Sequence, residues 1–251
     1  MSAAAATIGR AHTGTLTQVG YLARRSITRT VRQPILFVPS LIFPLFLLAV
    51  NSSGLDAATS LPGFPTDSYL SFALGLTFMQ GALFATMGAG QSIAGDIQHG
   101  FFNRLQLTPL RGGALIAGQL AGVTIQGLLQ AVAYLIVALA FGAHLEAGPA
   151  GILVLFALSA FVGVAFGSLG LAIGLRTGNG EAVQGVFPLL FVLLFLSSGA
   201  LPRNLIEGFR SLFITGWDGE ALALAFGVSL GVLTVGLWAA TAALRHRMER
   251  T

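Results

Sequence analysis

Set in a row within one apolar stretch of this chain are three amides and a phenol: Gln119, Gln126, Gln130 and Tyr134. At about 100° per residue their spacing of seven, four and four puts the glutamines in a narrow stripe of one helix face, with Tyr134 close beside it. Such a stripe cannot face hydrocarbon cheaply. The chemistry open to it is hydrogen bonding, either as glue between helices or as the lining of a substrate path or protomer interface. Bond-making chemistry is not expected. No apolar stretch offers a Ser/His pair, paired carboxylates or a histidine metal constellation, and His12, His99, His144 and His246 lie in different polar segments. Cysteine is absent, which removes thiolate metal sites and cysteine nucleophiles together.

A second constellation lies in the polar segment Gly95–Arg111. Phe101, Phe102 and Leu105 form a short apolar face beside His99 and Arg104, and Pro109 disfavours helix at Thr108. The segment reads as a short amphipathic helix outside the bilayer, either resting on lipid or presented to a cytoplasmic partner. A third pattern is one of small residues: Gly163, Gly167, Gly170 and Gly174 form a stripe, and Gly118/Gly122 and Gly227/Gly231 repeat its spacing. Such stripes let helix backbones approach closely and are expected to be packing faces.

The elements that hold these residues follow from composition. Of the 251 residues 55% are hydrophobic and only 9% charged, a balance that water-soluble domains do not approach. The expected fold is an all-α integral membrane protein. Six stretches have the roughly 20 apolar residues that a transmembrane helix needs, at 35–55, 69–94, 114–141, 152–175, 183–201 and 221–244. Together they make one membrane domain over 34–251, leaving no room for a second, soluble domain. Residues 1–33 precede it. Met1–Gly14 lack the apolar core of a signal peptide, so the N-terminus is expected to be retained. Thr15–Gln33 read as a basic amphipathic helix on the membrane surface, with Leu16, Val19, Ala23, Ile27 and Val31 near one face and Arg24, Arg25, Arg29 and Arg32 supplying charge.

Six spans place both termini on one side. All 13 cationic residues are arginine, and only Arg203 and Arg210 fall on the side away from the termini, so the termini are expected in the cytoplasm. Arginines that flank spans are explained by the membrane surface, which removes the case for nucleic-acid binding. No ionisable residue sits within a span; Arg176, Glu181 and Glu220 stand at span ends. A titrating group at depth, the usual means of proton coupling, is thus missing, and energy for any transport must come from elsewhere. Lysine is absent, which excludes a P-loop, so any ATP would be bound by another chain.

The run from Asp96 to Arg111 resembles the coupling-helix loop of type-2 ABC transporter permeases, whose pattern is an acid, a glycine, a leucine-rich turn and Thr-Pro-x-Arg; Asp96, Gly100, Arg104, Leu105, Thr108, Pro109 and Arg111 match it. The amphipathic helix with Arg32-Gln-Pro34 leading into the first span, the six-span layout and the basic tail extend the likeness over nearly the whole chain. Drug-resistance permeases of the daunorubicin and doxorubicin kind look most similar. The resemblance implies a permease dimer, of like or unlike chains, in a bacterial inner membrane. Two ATPase subunits beneath it would hold ATP and Mg and each receive one coupling helix in a groove. Phe101, Phe102 and Leu105 would supply apolar docking, and Arg104 and Arg111 polar contacts. The cargo implied is amphipathic or hydrophobic, a drug, lipid or glycolipid. One departure stands out. The family's external segment holds a re-entrant helical hairpin, whereas here Ser198–Ile206 run almost directly into Glu207–Phe213, which reads as a truncated hairpin. The alternative to an exporter is a non-transporting membrane anchor whose loop tethers a partner.

Overall fold

The second apolar stretch is rich in glycine, alanine, serine and threonine, and small residues are what allow helices to pack where lipid is as apolar as the protein. In the computed structural model, which describes residues 14–32, 34–101, 112–196 and 200–249, with side chains excepted at 34–37, 193–196, 200 and 201, this stretch is the hub. The described helices are α1 (Thr15–Arg32), α2 (Pro34–Leu55), α3 (Tyr69–Gln98), α4 (Gly112–Ala140), α5 (Gly148–Thr177), α6 (Gly180–Leu196), α7 (Ala200–Ile214) and α8 (Gly219–Met248). A 3-10 turn over Asp56–Ser60 follows α2. Five of them, α2 with that turn, α3, α4, α5 and α8, are long and apolar enough to cross a membrane.

Helix α3 packs against α2, α4, α5, α6 and α7. Its contact with α5 is backbone against backbone. A Cβ added at Gly170 would fall inside the Thr86 carbonyl, one at Gly174 would strike the Gly90 carbonyl, and one at Gly90 would lie 2.8 Å from the Gly170 oxygen. The Thr86 hydroxyl donates across the same crossing to the Phe166 carbonyl at 3.1 Å. Gly167 of the same stripe faces Val123 on α4, and Gly163 lies against Gly127. Gly118 and Gly122 receive α1, through Leu22 and Ser26. By contrast, Gly227 and Gly231 of α8 meet nothing within 4 Å among the described residues, so that expected packing face is unused there.

Helix α3 continues past the expected span of 69–94 to Gln98, and Asp96 in its last turn finds partners on α1. The turn that ends it is Gly100, at a φ of +70°, a left-handed conformation that costs glycine little. On α1, Leu16 and Val31 of the expected apolar face are 87% and 58% exposed, while Ser26, on another face, is buried. The face turned inward carries Leu22, Arg25, Ser26 and Arg29, spaced i, i+3, i+4 and i+7.

The expected span at 183–201 falls on two helices. Helix α6 has 17 residues, about 26 Å of helix against about 30 Å of hydrocarbon. The chain then forms α7, 15 amphipathic residues where a run-on connection was expected. Both helices follow α3 in succession. Val183 meets Gly90 and Phe187 stacks near Phe84; further on, Ile206 covers Gly75 and Phe209 stacks on Phe78 with ring centroids 5.1 Å apart. Leu205, Phe209, Leu212 and Phe213 give α7 a buried apolar face. Gly216, at a φ of +78°, turns the chain, and Asp218 caps α8 by accepting from the Glu220 and Ala221 N–H groups.

Replacing Gly170 by valine is expected to cost about 1–3 kcal/mol through overpacking, whereas Gly227→Val should be near neutral. Thermal unfolding of the two variants in detergent checks this. Equal shifts in both would mean that the α3–α5 crossing does not depend on backbone approach.

Candidate functional site

An ionised carboxylate removed from water must be matched by charge and hydrogen bonds from its surroundings. Asp96, in the last turn of α3, is only 4% exposed. Arg25 grips it with both terminal nitrogens, 2.8 Å to Oδ2 and 2.6 Å to Oδ1, the two-pronged geometry that only a guanidinium offers. Arg29, one turn further along α1, donates to Oδ1 at 3.2 Å. The Gln119 amide of α4 donates to Oδ2 at 2.9 Å. Three helices thus meet on one carboxylate.

The surrounding polar atoms are tied into the same network. Arg29 also donates to the Ser92 hydroxyl at 3.2 Å and the Ser92 carbonyl at 3.3 Å. The Ser92 hydroxyl donates to Gln119 Oε1 at 3.3 Å, and the Ser26 hydroxyl donates to the Gln119 carbonyl at 3.3 Å. Phe101 folds back after the Gly100 turn so that the Arg25 guanidinium lies 3.8 Å over its ring, a cation–π contact. His99 hydrogen-bonds the Gly95 carbonyl at 2.6 Å on the exposed side. Asp96, Phe101 and Gln119 are therefore brought together, while His99 and Gly100 shape the end of α3 beside them. Phe102, Arg104, Leu105, Thr108, Pro109 and Arg111 lie outside the described residues.

The glutamine stripe divides among three environments. Gln119 belongs to the Asp96 network. Gln126 lies against Gly88 and lines a cavity of about 390 Å³, together with Phe84, Met87, Gln91 and Gln184, at the end of the bundle that carries α1. Gln130 is buried beside Gly81 and borders a cavity of about 10 Å³ shared with Ser159, room for about one water molecule. Tyr134 is buried too, and its hydroxyl donates to the Ser40 carbonyl at 2.6 Å. That carbonyl would ordinarily accept from the N–H four residues on, but the residue there is Pro44, which has none. The tyrosine thus satisfies a carbonyl that a proline leaves open within an apolar helix.

Sequence reasoning singled out Asp96, Gln119 and Tyr134 but missed Arg25, Arg29, Ser26 and Ser92 as their partners. A usable signal was present: an acid in the end turn of an apolar helix, on the side of the arginines, together with Arg25 and Arg29 at i, i+4. The arrangement holds no nucleophile beside a base. What it does is bind three helices to the start of the 102–111 segment.

Comparison with known proteins adds one finding. The profile that describes ABC-2 type transporters matches residues 17–215. No curated protein matches the chain.

Tyr134→Phe is expected to destabilise the protein by about 1–2 kcal/mol, since it strands a buried carbonyl. Pro44→Ala supplies that carbonyl with an N–H, so the double variant should lose less than the two single losses added together. Additive losses in a double-mutant cycle of thermal stability would show that the two sites are not coupled.

Proposed function

Since this chain belongs to the ABC-2 type transporter family, we propose that it is the permease subunit of an ATP-driven exporter carrying amphipathic or hydrophobic substrates, a drug, lipid or glycolipid, out across a bacterial inner membrane. Two ATPase subunits on separate chains would bind ATP and Mg, and a second permease protomer, identical or not, would complete the path. In this reading α6 and α7 make the fifth of six crossings. The arginine-rich end with α1 and the C-terminal tail faces the cytoplasm, as the placement of arginine favours.

The observation that carries the reading is the Asp96 junction at the base of the segment whose sequence resembles a coupling helix. Closure of the ATPases would displace residues 102–111, and the displacement would enter the bundle at Phe101 and Asp96. From there it has two outlets. Through α3 it reaches every helix packed on that hub, and through Arg25 and Arg29 it reaches α1 and the start of α2. Phe102, Leu105, Arg104 and Arg111 supply the docking contacts. The cavity beside Gln126 supports the substrate class: it sets aromatic and thioether surface from Phe84 and Met87 beside the amides of Gln91 and Gln184, which suits an apolar body with a polar head.

The test is ATP hydrolysis and transport by the co-purified complex in lipid vesicles. The Phe101→Ala/Leu105→Ala variant should lose substrate stimulation by about tenfold or more, the loss of about 1.4 kcal/mol or more of coupling. Asp96→Asn leaves two arginines without their anion. Their cost is below that of a fully buried pair because the Arg25 and Arg29 side chains are 36% and 30% exposed; hydrolysis should persist while transport falls. The reading fails if no ATPase co-purifies, or if hydrolysis ignores the Phe101→Ala/Leu105→Ala variant and every amphipathic substrate.

A further inference from the structure

At the end of the bundle away from α1 lies a larger cavity, of about 840 Å³, between α7, the first turns of α8 and the loop before α3. Its size falls in the range of ligand sites, about 300–1,000 Å³, and its walls carry both signs of charge: Arg203, Glu207 and Arg210 from α7, Asp218 and Glu220 from the start of α8. Three of these are already engaged. Arg210 pairs with Glu207 at 2.7 Å, donates to the Phe72 carbonyl at 3.1 Å and lies 3.7 Å over the Phe72 ring. Asp218 caps α8. The side chains of Arg203 and Glu220 make no ion pair among the described residues. Beside them the lining becomes apolar at Ile214 and Leu224. Leu224 is 44% exposed and leads onto the outward face of α8, with Leu230, Val235 and Trp238.

An open guanidinium and an open carboxylate on one cleft, next to apolar surface that continues along a membrane helix, match a ligand with both charges and a hydrocarbon body. We propose that this cleft binds a bilayer phospholipid whose zwitterionic headgroup carries a primary ammonium, as phosphatidylethanolamine does. The phosphate meets Arg203, the ammonium donates to Glu220, and the acyl chains descend from Leu224 along α8. A purely anionic headgroup would meet the carboxylates of Glu207, Asp218 and Glu220 without a cation of its own to offset them, and a quaternary ammonium has no N–H to donate.

Native mass spectrometry of the full chain, released from nanodiscs of phosphatidylethanolamine, phosphatidylcholine and phosphatidylglycerol, reads this directly. Phosphatidylethanolamine should be retained over the other two. Arg203→Gln and Glu220→Gln should each lower its retention about tenfold, the loss expected of one charge-assisted contact. Arg203→Lys, which keeps the charge, should retain the preference and shows that the site tolerates substitution. Arg24→Gln, an exposed arginine at the other end, should change nothing. Equal retention of the ethanolamine and glycerol lipids, or a preference that survives both cleft variants, overturns the proposal. No nucleotide or transport enters the readout, so the outcome is independent of the exporter reading.

Discussion

A carboxylate drawn out of water at the end of an apolar helix constrains everything near it. A buried carboxylate such as Asp96 needs cations close by, and the chain supplies them from α1, whose Arg25 stands 71 residues earlier. That demand turns α1 from a helix floating on a lipid surface into one bolted to α3 and α4. It also sets where α2 begins, since only residue 33 separates α1 from α2. The docking is made possible by Gly118 and Gly122, whose missing side chains admit Leu22 and Ser26. Electrostatic need and steric room coincide on one face.

Two further contacts of the bundle follow a related rule, that a polar group away from water is satisfied by a neighbouring helix. The α3–α5 crossing meets it with Thr86 donating to Phe166, and the proline-bearing α2 meets it with Tyr134. Aromatic stacking then fills the space that small residues do not. Phe78 stands at the centre of such a cluster with Tyr134, Phe209 and Phe213, so α3 holds both α7 and α4 by rings as well as by polar contacts.

Much of this was legible in the sequence, because apolar runs of fixed length and the absence of charge within them leave few alternatives to a helical membrane bundle. Helix positions followed within a few residues. The misses have physical causes. Spacing in residues 15–33 showed an apolar face for the membrane surface but not the second face, with Arg25, Ser26 and Arg29, that packs on the bundle; only the distant Asp96 reveals it. The run 200–214, with its charged residues Arg203, Glu207 and Arg210, was read as a truncated hairpin rather than as one amphipathic helix. In the helix two of these pair with each other, and the burial of Leu205, Phe209 and Leu212 secures it. For the glutamine stripe, spacing showed a shared face but not that its members look onto different neighbours.

Helices α3, α5 and α8 are each 30 residues long, which is about 45 Å of helix set against about 30 Å of hydrocarbon. Near-upright helices therefore overshoot the apolar slab by about 15 Å, shared between its two faces. Asp96, two residues from the end of α3, then stands at headgroup depth. At that depth the surplus positive charge of two arginines on one carboxylate would face lipid phosphate rather than acyl chains. A thicker membrane would draw that junction towards hydrocarbon, and a thinner one would lift it into water. Hydrophobic mismatch thus acts on the same few atoms that join α1 to the hub, making membrane thickness a variable to which this bundle is mechanically tied.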